Sequence, residues 1–330
     1  MTDTTEQGAP ARPAAATDGV SGAAEAYGRG GDTYGKREAE TYGKREADTR
    51  AETYGKGAVD APSTLAARDL RLGYDQRPVV TGITADIPAG QVTMIVGPNA
   101  CGKSTLLRGL ARLLAPTSGE VLLDGQDIHR LPTRQVAARL GILPQTPVAP
   151  DGIRVIDLVG RGRYPHQGWF RRWTATDDEA VAEALTATDT LDLAERSVDE
   201  LSGGQRQRVW IAVALAQRTG VLLLDEPTTY LDLPHQVEVL DLVTDLNRQR
   251  GATVVTVLHD LNLACRYGDH LIAMKDGRIA AEGPPSEVVT EDTVRDIFGM
   301  ECRIVTDEVS RTPLILPIGR HRVHRPTATD

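Results

Sequence analysis

Aromatic side chains are scarce in this sequence: two phenylalanines, three tryptophans and eight tyrosines make 4% of 330 residues. A buried core must therefore be built mainly from Leu, Val, Ile and Ala. Cysteine is rarer still. Cys101, Cys265 and Cys302 form an odd set without metal-ligand spacing, which suits a reducing cytosol and excludes a disulfide framework. Excess positive charge is lacking too. The net charge is −9, from 46 acidic and 37 basic residues, so a nucleic-acid partner is not favoured. No apolar run approaches the roughly 18–20 residues that span a bilayer. The longest, such as Ile211 to Ala216 and Val221 to Leu224, are core-sized. The N-terminus carries no apolar h-region, so no secretory leader is expected.

Residues 1 to 62 contain almost no Leu, Ile or Val and repeat a short unit: Thr33 to Ala39, Thr41 to Ala47 and Thr53 to Lys56. Such a segment cannot bury enough apolar surface to offset its chain entropy, so a disordered low-complexity tail is expected. A tethering tail whose tyrosines are read by a partner is the functional alternative. From residue 63 the pattern is globular. Strand-like runs lie at Leu65 to Leu72, Gln91 to Val96, Val121 to Leu123 and Arg139 to Leu143. Others lie at Val221 to Leu224, Thr253 to Leu258 and His270 to Met274. Helical spacing joins Leu106, Leu107, Leu110, Leu113 and Leu114, and recurs over Asp177 to Leu193, Gln205 to Gln217 and Val237 to Arg250. Strands alternating with helices predict an α/β domain with a largely parallel sheet covered on both faces.

The pattern Gly97-Pro98-Asn99-Ala100-Cys101-Gly102-Lys103-Ser104 follows an apolar strand and precedes a helix, the context a phosphate-binding P-loop requires. Gly97 and Gly102 let the backbone wrap a polyphosphate closely, and the helix N-terminus adds positive dipole. Lys103 would reach the β- and γ-phosphates of ATP, and Ser104 would ligate Mg²⁺. Cys101 inside the loop is either a redox-sensitive thiol or a small residue that fits; the second is preferred. Val221 to Leu224 is an apolar strand that ends in Asp225 and Glu226. Ligands sit beyond strand C-termini, so Asp225 is placed to hold Mg²⁺ through water and Glu226 to activate the attacking water.

Leu201-Ser202-Gly203-Gly204-Gln205, followed by Arg206-Gln207-Arg208, resembles the signature of ATP-binding cassette (ABC) ATPases. Other family elements follow in family order over about residues 64 to 300. Tyr74 matches the aromatic that stacks on adenine, Gln145 the Q-loop glutamine that senses γ-phosphate and Mg²⁺, Leu231-Asp232 the D-loop, and His259 the switch histidine. Thr105 completes the nucleotide-binding stretch. The resemblance implies a P-loop ABC cassette over residues 63–300, with a mixed or parallel core sheet and a helical signature subdomain at about 146–218. A short C-terminal extension, 301–330, follows. It also implies a head-to-tail homodimer, in which Ser202, Gly203, Gly204 and Gln205 of one copy clamp the γ-phosphate on Lys103 of the other.

No membrane domain is present in the sequence, and Ser202 lies 99 positions after Lys103, leaving no room for a long coiled-coil insertion. An importer ATPase at the cytoplasmic face of the cell membrane, docked on two separate permease subunits served by an extracytoplasmic binding protein, is the leading class. The wording around Gly97 to Thr105, Gly162-Arg163-Tyr164-Pro165-His166 and Pro234-His235-Gln236 is similar to ATPases of iron(III)–siderophore importers. Haem, vitamin B12 and zinc importers are close alternatives, and a soluble regulatory ABC ATPase is the rival of another class. The stretch from Thr146 to Trp173, rich in Arg and aromatics, is either the permease-docking surface or local packing of the helical subdomain. The His321 to Arg325 tail could bind metal or anionic lipid, but a solvated terminus is expected.

Overall fold

The computed structural model describes residues 63–75, 77–167, 173–229 and 231–321. The repeat-bearing tail, Trp169, Phe170 and most of the His/Arg terminus lie outside them. The chain opens with β1 (Leu65–Tyr74), β2 (Arg77–Ile87) and β3 (Val92–Val96), then helix α1 (Lys103–Leu110). Strands β4 (Ser118–Leu123) and β5 (Gln126–Asp127), helix α2 (Thr133–Arg139) and strand β6 (Leu140–Leu143) follow. Next come α3 (Val155–Gly160), a 3₁₀ turn (Arg161–His166), α4 (Ala175–Ala187) and α5 (Gly203–Ala216). Strand β7 (Val221–Asp225), α6 (Leu233–Arg250), β8 (Thr253–Val257), α7 (Leu261–Tyr267), β9 (His270–Lys275) and β10 (Arg278–Gly283) continue the fold. Helices α8 (Pro285–Val288) and α9 (Glu291–Phe298) and strands β11 (Cys302–Thr306) and β12 (Pro313–Pro317) complete it.

The central sheet has six strands in the order β10-β9-β3-β8-β7-β6. All neighbours are parallel except β10, which runs antiparallel to β9 at the edge. The strand residues Val221 to Asp225 and Thr253 to Val257 are all buried, as expected where both sheet faces are covered. Alternate side chains enter two different cores. Leu222, Leu224, Met94 and Val254 join an apolar cluster with α4, α5 and α6. Leu223, Val255, Ile95 and Ile272 join a second cluster with α1 and the antiparallel sheet.

That second sheet, ordered β2-β1-β4-β5 and antiparallel, adds to the largely parallel core sheet that the alternation of strands and helices predicts. Strand β2 escaped the sequence reading because Pro78 and Gly82 interrupt it. Its second half nevertheless alternates cleanly, with Ile83, Ala85 and Ile87 buried and Thr84 and Asp86 exposed. Two helices are shorter than their apolar spacing predicts. Helix α1 stops at Leu110 because Arg112 adopts φ 60°, which leaves Leu113 exposed. Helix α4 stops at Ala187 because Asp189 adopts φ 52°. There the Thr188 hydroxyl donates to the Ala184 carbonyl (2.9 Å), and Leu191–Leu193 resumes as a separate 3₁₀ turn. Beyond residue 300, β11 and β12 form a hairpin whose inner residues Cys302 and Ile315 are buried in the first cluster. The Asn262 side chain of α7 clasps Ile315 through both its carbonyl oxygen and its N–H.

Candidate nucleotide-binding and catalytic site

Strand β3 delivers Gly97 to the C-terminal edge of the sheet. Gly97 has φ 149°, and a Cβ there would lie 2.3 Å from the Met274 carbonyl oxygen and 2.9 Å from Cys101 Sγ. Only glycine fits. Ala100 (φ 63°) and Gly102 (φ 107°) are also left-handed, which curls the loop into a concave nest of N–H groups. Helix α1 then begins without a side-chain cap and without an acid in its first turn. Its leading amides therefore suit an anion. Lys103 is buried, and its Nζ donates to the carbonyls of Gly97 (2.9 Å) and Pro98 (3.0 Å). Among the described residues no carboxylate forms an ion pair with it. A buried ammonium without a counter-charge is costly unless an anion joins it, so the loop fits a polyphosphate.

Ser104 Oγ donates to Asp225 Oδ1 at 2.9 Å. Asp225 is buried at the end of β7. Burial pushes its carboxyl above the ordinary value, while the Ser104 hydrogen bond opposes that rise. A hydroxyl beside a buried carboxylate is a donor set that fits a hard divalent cation. Gln145 contacts the neighbouring acid instead: its Nε2 donates to Glu226 Oε2 at 2.8 Å. Glu226 Oε1 faces His259 Nε2 at 2.6 Å, and Glu226 Oε2 also accepts from Thr229 Oγ1 at 3.0 Å. Glu226 itself adopts φ 54°, a strained backbone for a non-glycine residue of the kind that concentrates at functional sites. Tyr74, at the end of β1, is exposed; its hydroxyl accepts from Arg108 Nη1 at 3.4 Å.

The signature stretch lies at another helix start. Ser202 Oγ accepts from the Gln205 N–H (3.3 Å), and Gln205 Oε1 accepts from the Ser202 N–H (3.1 Å). This reciprocal capping box starts α5. Space around Gly203 is open, and the nearest neighbour of a Cβ at Gly204 would be the His235 ring, 3.8 Å away. Among the described residues, no hydrogen bond or ion pair joins Ser202 to Gln205 with Gly97 to Ser104. The P-loop and the signature stretch are thus two separate helix starts in one chain. Sequence reasoning missed a tie between the signature helix and the turn after the acid pair: Gln207 Nε2 on α5 donates to the Pro227 carbonyl at 2.8 Å. It also missed Thr229. A lone glutamine on a helix or threonine in a turn carries no periodic signal.

Cys101 is buried, and burial pushes its thiol upward against the opposing pull of Lys103. Part of the segment after Gln145 packs inward, as its local-packing reading expects. Arg163 points inward, with Nε 2.9 Å from Asp177 Oδ1 and Nη1 donating to the Ala216 carbonyl (2.7 Å). Gly162 packs so close to α5 that a Cβ would lie 2.5 Å from the Val213 carbonyl oxygen. His166 Nε2 lies 2.5 Å from the Gln217 carbonyl. Tyr164 (60%) and Val148 (87%) remain exposed.

Comparison with known proteins agrees with this geometry. The family model described as ABC transporter matches residues 80–229. The petrobactin import ATP-binding protein FpuD of Bacillus anthracis is 53% identical over 258 residues, covering 78% of this chain and 94% of the relative. The ferric enterobactin transport ATP-binding protein FepC of Escherichia coli (strain K12) is 51% identical over 261 residues, covering 79% and 96%. Among solved structures, an inward-facing metal-chelate type ABC transporter aligns with TM-score 0.67 at 27% identity, over 78% of this chain and 98% of its own. The dimeric structure of a bacterial ABC transporter cassette aligns with TM-score 0.60 at 28% identity, over 67% and 98%. No helix among the described residues is long and apolar enough to cross a membrane. With a P-loop, a strand-end acid pair and a signature helix in one α/β body, the chain belongs to the ATP-binding subunits of ABC transporters, which bind and hydrolyse ATP.

Proposed function

We propose that this chain drives import of iron(III)–siderophore complexes, working as a head-to-tail homodimer on two separate permease subunits at the cytoplasmic face of the membrane. The observation that carries the reading is the convergence of Gln145, Thr229 and His259 on Glu226, beside Lys103, Ser104 and Asp225. Lys103 and the uncapped start of α1 hold the β- and γ-phosphates, while Tyr74 stacks on adenine. Glu226 orients water and takes its proton as the water oxygen bonds to the γ-phosphorus and the bridging oxygen leaves with ADP. Such a base typically contributes ~10²–10⁴ in rate. His259 Nε2 holds the Oε1 edge of that carboxylate. Ser104, Asp225 and Gln145 would hold Mg²⁺, which supplies charge neutralisation at the β- and γ-oxygens.

Ser202, Gly203, Gly204 and Gln205 of the second copy complete the site, where the dipole of α5 adds positive potential at the γ-phosphate. ATP thereby favours the closed dimer and hydrolysis the open one. The exposed Tyr164 and Val148, downstream of Gln145, face the permeases. An extracytoplasmic binding protein delivers the cargo. The names of relatives support iron chelates: petrobactin and ferric enterobactin at 53% and 51% identity, against 40% for a cobalamin import relative. Uptake of radioiron as a ferric siderophore, in cells deleted for this chain, tests the proposal. Complementation by the wild-type chain and not by Glu226→Gln is expected. Unchanged iron uptake on deletion, with loss of cobalamin uptake, would redirect the cargo.

A further inference from the structure

We infer that Thr229 is the positioning residue of the Glu226 carboxylate, the donor that keeps its Oε2 edge fixed while Gln145 serves the nucleotide. The inference rests on the reading of Glu226 as the general base. Oε2 accepts two hydrogen bonds, from Gln145 Nε2 at 2.8 Å and Thr229 Oγ1 at 3.0 Å, whereas Oε1 faces His259 Nε2 at 2.6 Å. The three donors differ in how they are attached. Gln145 lies beyond β6 and His259 beyond β8, so each reaches Glu226 from a different strand end. Thr229 rides on the same turn as Glu226, because its own N–H donates to the Glu226 carbonyl at 3.2 Å.

That turn is anchored from two sides. Pro227 is buried, and its carbonyl accepts from Gln207 on the signature helix. The Thr229 hydroxyl therefore keeps its place relative to Glu226 whatever Gln145 contacts. If Gln145 turns toward the γ-phosphate, Thr229 is the remaining donor on Oε2. Together with His259 on Oε1 it then sets the rotation of the carboxylate about its last torsion, a broad degree of freedom in an unpartnered glutamate. An aimed carboxylate presents Oε1 to the water; an unaimed one spends part of its time turned away. The hydroxyl donates to the carboxylate of the base, so its effect should fall on turnover and not on nucleotide binding.

Steady-state MgATP hydrolysis by the full-length chain tests this. Thr229→Val keeps the shape and removes the donor, and it should lower kcat about tenfold while leaving the KM for ATP within about twofold, the scale of one hydrogen bond to a charged group. Thr229→Ala, which avoids added branching in the turn, should lose the same factor. Thr229→Ser should recover most of the rate. The inference is overturned if Val and Ala turn over like wild type, if Ser is as slow as Val, or if KM rises in step with the fall in kcat. Glu226→Gln in the same assay separates the two readings. Normal turnover in Glu226→Gln removes the base itself and this inference with it. A dead Glu226→Gln beside normal Thr229 variants removes only the inference.

Discussion

Replacing Arg163 with methionine should destabilise the helical region that presents Ser202. The guanidinium is 5% exposed and its partner Asp177 equally so; Nε–Oδ1 is 2.9 Å, and Nη1 supplies a donor to the Ala216 carbonyl at the end of α5. Methionine fills similar volume but leaves Asp177 buried with, among the described residues, only the Thr174 N–H (3.1 Å) and hydroxyl (2.8 Å) as donors. Removing one member of a buried pair costs about 3–5 kcal/mol, mostly from the stranded charge. For a body of this size that lowers Tm by about 10 °C. Arg163→Met/Asp177→Asn removes the charge while keeping an acceptor for the Thr174 cap, and most of the loss should return. Urea unfolding followed by circular dichroism gives the free energies. The pH dependence adds a check with a definite sign. Burial alone would raise the Asp177 carboxyl, yet hydrogen bonds from Arg163 and Thr174 hold it below the ordinary value. Its contribution is complete above the unfolded carboxylate pKa of about 3.9 and is lost as pH falls through the lower folded value. Wild type and Arg163→Met should therefore converge in acid. A loss under about 1 kcal/mol at neutral pH, or a double variant no better than the single, would refute the pair's assigned role.

Glu226→Gln should lose hydrolysis by at least about a hundredfold while retaining ATP and accumulating a dimer, as read by size-exclusion chromatography with MgATP; a monomeric, ATP-free profile would count against the composite site. Lys103→Ala should abolish binding of a fluorescent ATP analogue, because the loop's only buried cation beside Gly97 is lost; unchanged affinity would contradict the P-loop assignment. Cys101 should resist iodoacetamide and peroxide at neutral pH in the folded protein and react after unfolding in urea, since its thiol is buried and its pKa raised. Rapid labelling that ATP suppresses would revive the redox reading.

Much of this protein is written locally. The P-loop is legible because Gly97, Gly102, Lys103 and Ser104 must occur at fixed spacing between a strand and a helix, and both neighbours announce themselves by apolar pattern. Asp225 and Glu226 are legible because a buried parallel strand is continuously apolar and stops where it meets the site. The signature is legible because Leu201 to Gln205 resembles that of the ABC ATPases, and the cap that the structure shows there is confined to four residues. Other features depend on chain segments far apart in sequence, and only the tertiary structure decided them. Strand β2 forms an antiparallel sheet with β1 although Pro78 and Gly82 hide its period. Arg163, which its sequence neighbours suggested for a docking surface, turns inward because Asp177 and the Ala216 carbonyl await it there. Gln145 reaches Glu226, 81 residues away, and Gln207 ties the signature helix to the catalytic turn. Hydrophobic period and backbone chemistry act over a few residues and can be read from sequence, whereas a hydrogen bond between distant side chains exists only once packing has brought its two ends together.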